Sequence, residues 1–200
     1  HRLHRHVCQK GQPVNDVDIG VAVDRDDVAG GDQRLEIADL GRIRYREALA
    51  LQAELVRQRL GFQLDLAARH GHGGRLQSQG EKLLEEFAKL FADYAPQASL
   101  LHGDLWSGNY ACTDAGEPAI FDPAVYFGDR EADLAMTELF GGFGGGFYAA
   151  YENAWPVDPG YRTRKTLYNL YHILNHFNLF GGGYGGQAQG MIERLLAEIG

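Results

Sequence analysis

Between Leu100 and Pro123 the chain reads LLHGDLWSGNYACTDAGEPAIFDP, and within that run stand two carboxylates, Asp104 and Asp122, a carboxamide, Asn109, and an imidazole, His102. Asn109 lies five residues after Asp104, and Asp122 thirteen residues after Asn109. An aspartate able to take the proton of an attacking hydroxyl, beside two oxygen ligands from separate chain segments, is a donor set that phosphoryl transfer can use. A magnesium ion gives up its water reluctantly, so it accepts such a pair of oxygens while water and phosphate oxygens complete its octahedron. On this reading Asp104 is the catalytic base, Asn109 and Asp122 hold Mg2+, and His102 is structural, fixing the loop by hydrogen bonding.

Short elements have to deliver those groups. Ser99 to Leu101 are apolar enough for a buried strand that ends by releasing His102, Gly103 and Asp104 into a loop. The turn residues Thr113-Asp114-Ala115-Gly116 then return the chain as a hairpin to Ile120, Phe121 and Asp122, which brings Asn109 and Asp122 to its open end. Ser78 and Glu81 have capping-box spacing, and Leu83, Leu84, Phe87, Leu90 and Phe91 continue an apolar stripe as far as Pro96. That helix is expected to pack behind the catalytic strand. Upstream, a helical pattern starts near Arg42, with Leu49, Ala53, Val56 and Leu60 on one face and Phe62, Leu64 and Leu66 continuing it beyond Gly61. His70-Gly71-His72-Gly73-Gly74 stops it, which makes those histidines loop residues. Downstream, Gly128 to Asp133 opens a helix through Leu139 with its acids near the positive end of the dipole. The glycines of 141–146 follow a helix and lack a Lys-Ser/Thr ending, so they read as a helix-to-helix turn and not as a phosphate cradle. Asp158-Pro159 caps and opens another helix with a core stripe of Leu167, Leu170, Tyr171, Leu174 and Phe177. A last helix runs from Gln187 to Ile199.

The order H-x-D-x-x-x-x-N, followed by an aspartate at a strand end, is the arrangement of a kinase catalytic loop and metal-binding aspartate, with HGD for HRD and FDP for DFG. HGDLWSGN, IFDPAVYFGDREADLAMTELFGGF and LYNLYHILNHFNLFGGGY together resemble the fructosamine kinases, or ketosamine-3-kinases, of the aminoglycoside phosphotransferase-like branch of the protein-kinase-like superfamily. The likeness covers about Leu60 to Gly200. HGD-x-x-x-x-N and the later aspartate are common to the wider group; Trp106, the GDREAD run and the YNLYH helix point to the ketosamine branch. The resemblance implies an α+β, mainly helical fold, the C-terminal lobe of a protein-kinase-like enzyme with a small catalytic β-hairpin. It implies ATP as co-substrate, Mg2+, and phosphorylation of the sugar hydroxyl of a ketosamine on a glycated amine or protein. It implies that Asp133 braces the catalytic loop from outside it and that Trp106 packs on the ketosamine. The aromatic helix bearing His172 and His176 is suited to wall the sugar site, with His176 as a substrate contact. The rivals are a choline- or aminoglycoside-type phosphotransferase, which keeps the loop and changes the pocket, and an inactive remnant of the fold.

Two hundred residues of 44% hydrophobic content and net charge −8 describe one ordinary core. That acidity argues against nucleic acid or an anionic membrane as partner, and no apolar run approaches the ~20 residues of a membrane span. The N-terminus shows no hydrophobic signal core, and Cys8 and Cys112 lack CxxC spacing, which suits free thiols in a reducing, cytoplasmic compartment. His1, His4, His6 and Cys8 lack the paired spacing of a zinc site. Val17, Ile19, Val21 and Val23 alternate with Asp18, Gly20, Ala22 and Asp24 as a half-buried strand. The chain divides into an unmatched segment, 1–45, and a kinase-like helical lobe, 46–200. A nucleotide lobe would need a glycine-rich loop and a strand lysine. The only lysines are Lys10, Lys82, Lys89 and Lys165, and none stands in a strand. The expectation is a catalytic C-lobe behind an unrelated N-terminus, binding nucleotide weakly.

Overall fold

The computed structural model describes residues 45–200. The strand expected at Val17–Val23 and the segment His1–Cys8 lie outside the described residues. Helix α1 (Tyr45–Arg69) buries Val56, Leu60, Leu64 and Ala67, the three-and-four spacing of one helical face. Phe62 is 62% exposed, because two residues past Leu60 a helix has turned to its opposite side. The glycine-rich stop comes where expected, at Arg69, and His72 lies over the Phe177 ring at 4.6 Å.

Helix α2 (Arg75–Glu86) corrects the capping box: it begins at once after Gly74, whose φ of 70° turns the chain, so Ser78 falls inside it. Ser78 Oγ donates to Arg75 O and Glu81 accepts from Gln77 Nε2, neither of them a cap. The stripe beyond Glu86 tightens into a 3-10 turn, Phe87–Phe91, burying Phe87 and Phe91. Nor does α2 back the catalytic strand. It packs on α1 and on helix α6 (Tyr184–Ile199), while the strand is backed by helix α3 (Arg130–Leu139).

Among the described residues four short strands make two antiparallel pairs: β1 (Ala98–Leu101) with β4 (Tyr126–Asp129), and β2 (Tyr110–Cys112) with β3 (Pro118–Ile120). The β2–β3 hairpin turns through Thr113–Gly116 as expected, Gly116 N–H donating to Thr113 O. β4 corrects the helix start, since Gly128 and Asp129 pair with Ser99 and Ala98 and the helix begins only at Arg130. Asp129 caps it, accepting from Glu131 N–H at 3.0 Å.

Helix α4 (Gly145–Ala154) follows the glycine turn and buries no residue. Helix α5 (Tyr161–Phe180) starts two residues later than the Asp158-Pro159 signal, because Asp158 Oδ1 closes a turn on Gly160 N–H before the helix begins. It is the central helix, packed against α1, α3 and α6. Leu167, Leu170, Ile173, Leu174 and Phe177 are buried on it, facing Ala188, Ile192 and Leu195 of α6. No described helix is long and apolar enough to cross a membrane.

On α5, His172 lines a crevice with Arg59, Tyr126 and Tyr171. Burial, helped by the Arg59 guanidinium and by His176, pushes its imidazole down to about 4. The unfolded chain therefore takes up this proton first as pH falls, and stability should decline between about pH 6.5 and pH 4. Replacing His172 by Gln should flatten that decline in thermal melts; a wild-type curve no steeper than the variant's across this window contradicts the assignment.

Candidate active site

β1 ends at Leu101, which is 3% exposed, and the chain leaves the sheet through Gly103 at φ 82°. A Cβ there would stand 2.1 Å from Ala124 O, so glycine alone fits between the loop and the segment joining β3 to β4 that passes beside it. The loop is held from α3. Asp133 accepts from His102 N–H at 2.7 Å on Oδ2 and from Gly103 N–H at 2.9 Å on Oδ1. Burial raises the pKa of this carboxyl, and the bonds from Gly103 and His102 oppose the rise.

His102, buried, ties the loop to the hairpin. Its Nδ1 accepts from Asp104 N–H at 3.3 Å, which puts the ring proton on Nε2, where it donates to Phe121 O at 3.0 Å. Its own carbonyl accepts from Ala124 N–H at 2.8 Å. One imidazole thus links the residue before Asp122 to the backbone of Asp104.

Asn109, also buried, stands at the foot of β2. Its Nδ2 donates to Asp104 O at 2.9 Å and to Asp104 Oδ2 at 3.0 Å. Both amide hydrogens face acceptors on Asp104, and a flipped amide would set oxygen against oxygen; Oδ1 is therefore the atom left for a cation. Phe121 N–H donates to Asn109 O at 3.1 Å, extending the hairpin register by one step and putting Asp122 next in line. Asp122 is exposed and has φ 55°, the only positive φ of a non-glycine residue among the described residues. Backbone of this kind costs about 1 kcal/mol or more and collects at functional sites. The oxygens of Asn109 and Asp122 are hard donors, and among the described residues no group of three or more His, Cys, Asp or Glu could hold a metal. Two protein oxygens, with substrate and water supplying the rest, fit Mg2+.

Trp106, 37% exposed, meets the Phe140 ring edge-on at 6.5 Å, and Phe140 lies over His176 at 4.7 Å. Trp106 and His176 thus belong to one aromatic wall, joined by a residue that the sequence did not single out. Phe140 ends α3 beside the glycine turn, and its only signal was its place after an apolar helix. The wall continues to Tyr184 and Phe180, 5.3 and 5.5 Å from His176. His176 Nδ1 donates to His172 O at 2.8 Å, which leaves Nε2 as an acceptor. His172 is not part of this wall; its crevice borders α1 and β4.

The family described as fructosamine kinase matches residues 54–198. A protein of Synechocystis sp. named as a ketoamine kinase is 55% identical over 138 residues, covering 69% of this chain and 46% of its own length. The protein-ribulosamine 3-kinase of Arabidopsis thaliana, named as chloroplastic, is 45% identical over 139 residues, 70% of this chain and 42% of its own. A crystal structure described as a fructosamine-3-kinase from Haemophilus somnus 129PT superposes with TM-score 0.64 at 30% identity, over 75% of this chain and 50% of its own. The chain spans about half the length of the curated relatives it matches.

The left-handed φ of Asp122 gives a prediction for stability. Asp122→Gly should stabilise the fold by about 0.5–1 kcal/mol in chemical denaturation, since glycine adopts this φ freely. Lower stability of the glycine variant would contradict it.

Proposed function

The chain belongs to the fructosamine kinase family, and from that membership we propose that residues 46–200 form the catalytic lobe of an ATP-dependent ketosamine 3-kinase acting on glycated amines or proteins. The observation that carries this reading is the pairing of Asp104 with Asn109. The carboxamide nitrogen holds the carboxylate, so a proton acceptor and a cation ligand stand one hydrogen bond apart. Oδ2 of Asp104 is engaged by Asn109, and the other carboxylate oxygen is open to the sugar hydroxyl. Asp104 orients that hydroxyl and takes its proton as the oxygen attacks the γ-phosphorus and ADP departs. Mg2+ held by Asn109 Oδ1 and Asp122 would neutralise charge on the phosphate oxygens. His102 and Asp133 keep the loop from shifting, so Asp104 does not have to be ordered during reaction.

The aromatic wall suits the acceptor. Trp106 offers an exposed ring to the sugar or to the amine it is attached to, and His176 Nε2 offers an acceptor to a hydroxyl. A ketosamine carries both groups, which favours it over a choline-type acceptor lacking a sugar. The unpaired Cys112 agrees with a reducing, cytoplasmic setting.

The test is a chimera in which the N-terminal half of the Synechocystis relative precedes residue 54, assayed with Mg-ATP and a fructosamine-bearing peptide. Asp104→Asn should lower turnover by about 1,000-fold or more with nucleotide affinity nearly unchanged. Asp122→Asn should weaken magnesium-dependent nucleotide binding as well as rate, and Asn109→Ala should do the same more mildly. Trp106→Ala should raise the acceptor's KM more than that of ATP. Wild-type turnover by Asp104→Asn would overturn the reading.

A further inference from the structure

Asp133 can hold the loop amides only if α3 is itself held, and the first turn of that helix rests on a buried ionic cluster. Glu131, 0% exposed, receives both prongs of Arg164 of α5, Nε to Oε2 at 2.7 Å and Nη2 to Oε1 at 2.9 Å. The Arg164 guanidinium also donates to Asp158 at 2.6 Å and stacks over Tyr94 at 3.6 Å. Beside it Asp129, 1% exposed, caps α3 and accepts from Tyr94 at 2.9 Å and from Tyr168 at 2.7 Å. A two-pronged bond fixes distance and rotation together, which a point charge does not. Glu131 and Asp133 lie in the same helical turn, two residues apart, so rotation of that turn about its axis moves both carboxylates.

We propose that Arg164 is a positioning residue for the catalytic loop, acting through Glu131 and the first turn of α3 to set where Asp133 holds the His102 and Gly103 amides. The path is contiguous: Arg164 to Glu131, two residues along the first turn of α3 to Asp133, two hydrogen bonds to the loop, and Asp104 as the next residue. It joins the central helix of the lobe to the reacting atoms. A buried ion pair adds little net stability over an apolar pair of the same volume, so registration of one helix on another is the better use of it.

Its consequence for turnover rests on the reading of Asp104 as the base, but the geometry can be tested without activity. Amide hydrogen exchange followed by NMR on the 200-residue chain reads the loop directly. Arg164→Lys keeps the charge and loses the fork; Glu131→Gln keeps the shape and loses the charge. In both variants the His102 and Gly103 amides should exchange about tenfold faster than in the parent, as in the reference variant Asp133→Asn. The core amides of Ile173, Leu174 and Ile192 should keep their protection. Equal acceleration of all these amides would make Arg164 a general stabiliser and overturn the proposal, as would unchanged exchange at His102 and Gly103. Turnover variants at Asp104 can fail without altering this result, and the exchange can fail without altering theirs.

Discussion

The carboxylate of Asp133 accepts the amide hydrogens of both His102 and Gly103, and the geometry of the loop follows from that double bond. A loop leaving a strand has backbone donors with no ladder to join, and in a buried setting each needs a partner. One carboxylate satisfies two of them and so fixes two successive peptide planes. Gly103 is then committed to a left-handed φ with Ala124 O against its Cα, and Asp104 emerges in one direction. Burying this carboxyl is costly and raises its pKa, and the two bonds offset only part of that cost.

From this fixed point the structure builds outward in two directions. Toward the hairpin, His102 carries the constraint through its ring to Phe121 O, and Asn109 closes the circuit by bonding both the carbonyl and the carboxylate of Asp104. Asp104 and Asn109, the proposed base and one proposed cation ligand, are then tied into one hydrogen-bonded unit with the residue that precedes Asp122. Toward the helices, α3 runs from its cap at Asp129, past Asp133, to Phe140 at its end, where the aromatic wall begins. One ten-residue helix therefore braces the loop at its start and leads into the aromatic wall at its finish.

Much of the site was legible because its signals are local. The spacing of Asp104, Asn109 and Asp122 and the Thr113–Gly116 turn depend on neighbouring residues, and the hairpin formed as read. What was not legible depends on partners far along the chain. The end of β4 reads as a helix start because Asp129 and, just beyond it in α3, Glu131 look solvated in sequence; their partners Tyr94, Tyr168 and Arg164 lie at least 33 residues away. The Ser78–Glu81 pair had the right spacing but lost to Gly74, which freed the helix to start earlier. Helix α4 packs through aromatic side chains without burying any of them, and its short stripe of Phe147, Ala150, Tyr151 and Ala154 comes directly after glycines that read as a turn. The division between His172 and His176 follows from which neighbours α5 meets, and four residues of sequence do not reveal it.

The central claim is that Asn109 and Asp122 hold a divalent cation at the open end of the hairpin, one residue contact from Asp104. Paramagnetic broadening by Mn2+ tests it most directly on the 200-residue chain. The account predicts that the Asn109 side-chain amide and the Asp122 backbone amide broaden first as Mn2+ is added, and that Asp122→Ala removes the effect. Broadening confined to exposed acids such as Asp114 and Glu117 at the hairpin turn, with Asn109 and Asp122 left sharp, would contradict it.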